Sequence, residues 1–267
     1  MDGPGFGLEG KTCVITGGSS GIGLATADLM LQCGANVVIC ARDEARLGQA
    51  ADTLTQTHGA SRVLARRCDV LDAAQVEGLA SAVHERFGDA SVLVNNAGQG
   101  RMVSFADTTD EAWREELELK FFSLIRPTRA FLPQLERSGA GSIVCVNAML
   151  AKQPESYMPA TSAARAGVLN LAHSLAHELA PKGVRMNSIL IGIVESGQWR
   201  RRYETQARPG QSWEDYTGEL ARARHIPMGR FGKPVEAARA ILFLASPLSS
   251  YTTGSTIDVT GGNARHV

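Results

Sequence analysis

Two stretches of this chain carry groups that could do chemistry together. The first is TGGSSGIG, residues 16–23, set between an apolar run and a helical pattern. Its glycines permit a tight turn and let backbone N–H groups approach a pyrophosphate, and the N-terminus of the next helix favours that negative charge. A purely structural turn could use the same glycines. The position directly after the first strand of a strand–helix–strand unit selects the nucleotide reading. The second stretch is ESYMPATSAARAG, residues 155–167, with a phenol at Tyr157, an alcohol at Thr161 and a guanidinium at Arg165, four residues apart in turn. A phenol can donate a proton. A threonine alcohol is too weakly acidic for that without an activating base, and a guanidinium binds hydroxyls and carries charge but does not exchange a proton near neutrality. Tyr157 precedes Pro159, a first-turn helix residue, so its ring would reach a pocket from a loop; the alternative is a loop tyrosine with an exposed hydroxyl. Lys120 is the fourth candidate. If it faces the same pocket, Arg165 nearby would lower its pKa and make it a usable acid; otherwise it is a solvated head on a buried stem.

The rest of the chain supplies elements able to hold these groups. Apolar runs recur within 12–16, 36–41, 62–70, 91–97, 142–148, 184–191 and 255–260, as expected of strands buried on both faces of a parallel sheet. Helical patterns intervene: 21–34 ending on Gly34, 111–136 with Trp113, Leu117, Phe121 and Leu124 at helical spacing, and 161–180 with Val168, Leu171, Leu175 and Leu179 on one stripe before Pro181. The alternation predicts an α/β fold: a doubly wound parallel sheet of about seven strands flanked by helices, in a single domain over 1–267. A length of 267 residues with 44% hydrophobic content suffices for one sizeable core. Basic and acidic residues number 27 each, a balance that gives no support for a nucleic-acid or membrane-surface partner. No run of about 18 apolar residues exists, so no membrane span is expected. Five scattered cysteines read as buried thiols, and MDGPGFGLEG has neither the basic start nor the apolar stretch of a secretory leader, so the expected location is the cytoplasm.

With these residues in view, the chain resembles the short-chain dehydrogenase/reductase family over nearly its whole length, which implies a Rossmann-like fold. Residues 16–23 match that family's TGxxxGxG, with Gly17, Ser19, Ser20, Gly21, Ile22 and Gly23 as cofactor-binding positions. Cys68-Asp69-Val70 is similar to its adenine-pocket segment, Asp69 being the base contact. Asn96, Ala97 and Gly98 belong to an NNAG segment that supports the sheet and lies along the cofactor. Gly192-Ile193-Val194-Glu195-Ser196 stands where PGxxxT would be, so the Val194 backbone would face the nicotinamide amide and Ser196 the phosphates. At the end of the second strand an acidic residue would bind a ribose 2′-hydroxyl; here Ala41 and Arg42 follow, and Arg42 can clamp a 2′-phosphate, favouring NADP(H) over NAD(H). The alternative is that Arg42 merely faces solvent.

The resemblance also implies a catalytic asparagine, serine, tyrosine and lysine. Two anchors, the strand SIVCVNA and the run LAHSLAHELAPKGVRMNS, place the serine, tyrosine and lysine positions at Ala148, Thr161 and Arg165, and Trp113 aligns the asparagine position with Lys120, so all four are replaced. Loss of a general acid costs about 10²–10⁴ in rate. Tyr157 and Lys120 are then the candidate proton donors, Arg165 retains a role toward the ribose hydroxyls, and Asn147 and Glu155 are further polar residues near the cleft. Residues 196–234 read as a lid over the substrate, with Trp199, Tyr203, Trp213 and Tyr216 as apolar walls and Arg200, Arg201 and Arg202 able to meet an anion; the alternative is a solvated arginine face. His173 and His177 stand i, i+4 without a third ligand and read as surface or interface residues rather than a metal site. The family likeness implies a homodimer or homotetramer. Two readings follow: an NADP(H)-dependent oxidoreductase acting on a small carbonyl or alcohol, an anionic one if Lys120 and Arg165 both face the pocket, with a rearranged proton donor; or a nucleotide-holding partner subunit or sensor without the chemistry. Isomerisation is neither supported nor excluded.

Overall fold

The computed structural model describes residues 6–266; residues 1–5, half of the stretch read above for a leader, and residue 267 lie outside them. Seven strands form one sheet: β1 (Thr12–Thr16), β2 (Asn36–Ala41), β3 (Val63–Arg67), β4 (Ala90–Asn95), β5 (Gly141–Ala148), β6 (Val184–Ile191) and β7 (Thr256–Val259). Every pairing is parallel, and the order is β3-β2-β1-β4-β5-β6-β7. The chain winds outward in both directions from β1 and β4, so the crevice beyond their C-terminal ends is where such a sheet receives a ligand.

Successive strand residues point to opposite faces. Val14, Val38, Leu93 and Ile143 enter one layer of the core, and Cys13, Ile15, Val37, Ile39 and Val92 enter the other. The α-helices among the described residues are α1 (Gly21–Gln32), α2 (Glu44–His58), α3 (Ala73–Phe87), α4 (Asp110–Arg137), α5 (Pro159–Leu179), α6 (Gly197–Gln206), α7 (Trp213–Ala223) and α8 (Pro234–Ala245). Helices α3, α4 and α5 close the first layer and α1, α2 and α8 the second. Burial on both faces is why the strands read as continuous apolar runs. It also pushes the thiols of Cys13 and Cys145 up to about 12. No helix among the described residues is long and apolar enough to cross a membrane.

The element boundaries differ from the sequence pattern where side chains capture the backbone. The run at 62–70 leaves the sheet after Arg67: the Cys68 N–H donates to the Ala41 carbonyl, and Asp69 turns the chain by accepting from the Leu71 N–H at 3.0 Å. Helix α5 starts at Pro159, two residues ahead of expectation, and Pro181 sits in a short 3₁₀ turn beyond its end. The apolar spacing on α4 does not mark its inner face throughout. Leu124 is buried and Phe121 packs partly, but Leu117 is 40% exposed, and the buried face beside it carries Glu116 and Lys120. Charged groups can occupy that face because they pair with each other, at 2.8 Å.

Candidate active site

A cleft of about 580 Å³ opens at the C-terminal end of the sheet. Gly17, Ser19, Ser20, Gly21 and Ile22 line it. Gly17 and Gly21 have φ of +66° and +55°, a region glycine enters without a steric penalty. Ser20 precedes α1 without capping it by a side-chain bond, which leaves the helix's first N–H groups free for an anion. Gly23 does not line the cleft. A Cβ there would lie 2.3 Å from the Gly17 carbonyl oxygen and 2.6 Å from Asn96 Nδ2, so this glycine serves the close packing of helix on loop. Asn96 Nδ2 donates to the carbonyls of Thr16 and Gly17 at 3.0 and 3.1 Å, and Thr16 Oγ1 accepts from the N–H groups of Asn96 and Ala97, both at 3.0 Å. These bonds clamp the end of β1 to the end of β4 and hold the loop open.

Along the same cleft stand Ala97 and Gly98, then Asp69 and Val70, and beyond β6 Gly192, Val194 and Ser196. Gly192 is fixed by donating to the Val259 carbonyl at 3.0 Å, and Val194 bridges to Gly232. Arg42 is exposed at the cleft's edge. Its neighbour Asp43 is an acidic group in the right region, but its carboxylate is occupied: it caps α2 by accepting from the Arg46 N–H at 3.0 Å and pairs with the Arg46 guanidinium at 3.2 Å. Among the described residues Arg42 itself has no carboxylate within salt-bridge distance.

The other end of the cleft holds two of the four candidate catalytic residues, Tyr157 and Arg165, together with Ala148 and Glu155. Arg165 Nη1 donates to the Val146 carbonyl at 3.0 Å, its Nε is buried without a hydrogen-bond partner, and Asn147 Nδ2 ties down its carbonyl at 3.1 Å. Burial lowers the Arg165 pKa to about 10, against the pull of the Glu116 carboxylate, so the group stays charged at neutral pH. The Tyr157 hydroxyl accepts from Arg224, whose guanidinium also lies 4.9 Å from the centre of the phenol ring.

Lys120 and Thr161 are placed differently from the sequence expectation: neither lines the cleft. Both are buried, 4% and 2% exposed, and Glu116 joins them. The Glu116 carboxylate accepts from Thr161 Oγ1 at 2.6 Å and pairs with Lys120 Nζ at 2.8 Å, while Nζ also donates to the Gln99 carbonyl. The lysine head is thus neither solvated nor aimed at the cleft. Sequence reasoning missed Glu116, although its spacing four residues before Lys120 is a recognisable helix ion-pair signal. Burial, then the nearby Arg165 charge, lowers Lys120 to about 8 against the opposing pull of Glu116. Its ordinary value is 10.5, so between these limits the unfolded chain binds the extra proton, and the stability contributed by this group rises with pH from about 8 to 10.5. Urea unfolding should show wild type gaining on Lys120→Met as pH is raised through this window; a constant difference would contradict the displaced ammonium.

The stretch read as a lid folds as α6 and α7 with their connections. Of the four aromatics expected as walls only Trp199 lines the cleft. Trp213 and Tyr216 are buried, and Tyr203 meets both edge-on at 5.5 and 5.4 Å, so three of the expected walls form the lid's own small core. Arg200 stacks on Trp213 at 3.8 Å, and of Arg200, Arg201 and Arg202 only Arg202 reaches the cleft.

Known proteins resemble this chain over its length. A family model described as enoyl-(acyl carrier protein) reductase matches residues 17–264. A solved NADPH-bound short-chain oxidoreductase from Pseudomonas aeruginosa PAO1, described as containing an atypical catalytic center, is 62% identical, with 98% of this chain and 99% of that one covered and a TM-score of 0.94. L-sorbose reductase from Gluconobacter frateurii, solved with NADPH and L-sorbose, is 34% identical over 99% of this chain and 100% of that one, with a TM-score of 0.93. The 3-oxoacyl-(acyl-carrier-protein) reductase of Vibrio cholerae is 32% identical over 96% of this chain and 98% of its own length. The parallel seven-stranded sheet, the glycine cradle at its switch point and these full-length likenesses together make the chain a member of the short-chain dehydrogenase/reductase family of oxidoreductases.

Proposed function

We propose that the chain interconverts a carbonyl and an alcohol with NADP(H), at a non-standard centre in which Tyr157 handles the proton. One observation carries this reading: a single cleft runs from the glycine loop to Tyr157, the one phenol among the described residues lining it, whereas Thr161 and Lys120 are turned away. The NADPH-bound relative with an atypical catalytic center supports it. The backbone of residues 17–22 and the start of α1 would hold the pyrophosphate, Arg42 the 2′-phosphate, Arg165 the ribose hydroxyls and the Val194 backbone the nicotinamide amide. The cofactor supplies hydride. Tyr157 gives its proton to the substrate oxygen, and the Arg224 guanidinium against the phenol offsets the negative charge left there. Arg165 adds positive charge at the same end. Assembly as a homodimer or homotetramer belongs to this reading. Exposed Leu117 and Phe122 on α4 offer apolar contact surface, and light scattering measures the state.

The direct test is isotope transfer. Reduction of a ketone panel with NADPH deuterated at the transferable position should deliver label to the alcohol carbon. A protein that binds NADPH tightly yet never transfers label would be a nucleotide-binding partner or sensor instead. For the cofactor, Arg42→Ala should weaken NADPH binding at least about tenfold and leave NADH within about twofold, because only the 2′-phosphate loses a charge-assisted bond. Fluorescence titration reads both constants; tighter binding of NADH than NADPH by the unaltered protein would overturn the preference.

A further inference from the structure

Besides Arg165, the substrate end of the cleft is lined by three further arginines from separate parts of the chain: Arg202 of α6, Arg224 after α7, and Arg265 of the C-terminal segment. Among the described residues none of the three has a carboxylate within salt-bridge distance, although neighbouring arginines of the same region do: Arg208 pairs with Glu219 and Arg230 with Glu236. Two of the three side chains, and the backbone of the third, are nevertheless held in place. Arg202 lies 4.7 Å from the centre of the Trp199 ring and donates to Met102 Sδ across the cleft. Arg224 rests on Tyr157. Arg265 is positioned by its own N–H donating to Gln153 Oε1 at 2.9 Å, at the end of a segment anchored by Ala264 N–H on Thr260 Oγ1 at 3.4 Å. The carboxylates in the cleft's wall here are Glu155 and Glu195, and Glu195 lies in the field of Arg230. The balance at this end is cationic, and around it stand Trp199, Met102, Met149 and Met158. Like charges gathered in a partly dry, apolar-walled cleft repel one another, and an anion with apolar substance attached relieves that cost.

We propose that the substrate is a carbonyl or alcohol compound with an apolar body and a carboxylate, and that Arg202 and Arg265, with Arg224 behind Tyr157, recognise the carboxylate. The proposal rests on the redox reading above and narrows it to a substrate class. Arg224 serves two ends: it supports the phenol, and it brings the anion-binding group next to the proton donor, so a bound carboxylate would register the reacting carbonyl against Tyr157.

The test uses benzoylformate, 3-benzoylpropionate and 4-benzoylbutyrate, each against its methyl ester. Binding to the protein with NADP⁺ is followed by calorimetry, and turnover by NADPH oxidation. At least one acid should bind about tenfold or more tighter than its ester, since one charge-assisted contact is lost on esterification. Arg202→Gln and Arg265→Gln should each raise the dissociation constant of that acid about tenfold while moving its ester less than twofold, and Arg202→Lys should recover part of the loss. Esters binding as well as acids in all three pairs, or acid affinities unmoved in both glutamine variants, would overturn the proposal. Tight acid binding without any NADPH oxidation would keep the anion site and overturn the redox reading, so the two failures are distinguishable.

Discussion

Tyr157→Phe should lower turnover about 10²–10⁴-fold while leaving NADPH affinity within about twofold, because the substitution removes the one phenolic proton the cleft offers and keeps the ring. The ring matters in its own right. Arg224 sits 4.9 Å from its centre, and phenylalanine preserves that stacking, so loss of the hydroxyl is separated from loss of the lid contact. Thr161→Val is the matched control. It removes an alcohol at the position where the family resemblance implies a tyrosine, but one that faces Glu116 rather than the cleft. It should therefore act on stability, with little change in the rate of the chemical step. Steady-state and single-turnover measurements on both variants decide the matter. Activity surviving in Tyr157→Phe and collapsing in Thr161→Val would reverse the assignment of the proton donor.

Lys120→Ala should destabilise the fold by about 3–5 kcal/mol, which for a chain of this size lowers Tm by roughly 6–20 °C. The reason is the partner left behind. Glu116 is as buried as the lysine, 3% exposed at each side chain, and without the ammonium its carboxylate keeps only the Thr161 hydroxyl. The Gln99 carbonyl also loses its donor, and Gln99 lines the cleft, so weaker cofactor binding should accompany the loss. Replacing both partners by apolar residues, Glu116→Leu with Lys120→Met, should recover most of the stability, since no isolated charge then remains. Thermal and urea unfolding of the three proteins gives the answer. A Lys120→Ala protein within 1 kcal/mol of wild type, an order-of-magnitude threshold below that penalty, would show that this pair is not the buried unit described here.

Much of the fold was legible before any coordinates. A strand buried on both faces must be an unbroken apolar run, and a chain that turns tightly onto a pyrophosphate needs glycine where no other residue fits. Both demands are local, so β1, the glycine loop and α1 declare themselves within about two dozen residues, and so does Arg42 at the end of β2. The absence of a tyrosine–lysine pair at Thr161 and Arg165 was likewise a matter of reading positions. Apolar spacing alone does not mark the inner face of α4, because Glu116 and Lys120 are buried by pairing with each other.

Where the side chains point was decided only by tertiary structure. Thr161 finds its carboxylate 45 residues away, Tyr157 its guanidinium 67 residues away, and Gln153 holds Arg265 across 112 residues. No period or motif encodes such partnerships, because each depends on how whole helices and loops settle over the end of the sheet. The sequence alone determined the sheet and the glycine cradle, since these follow from backbone demands within a few turns of chain. The tertiary fold alone determined that the phenol shares the cleft with Arg165, Arg202, Arg224 and Arg265 while the lysine and threonine do not, since long side chains take the direction that pairs their charge and packs their stems.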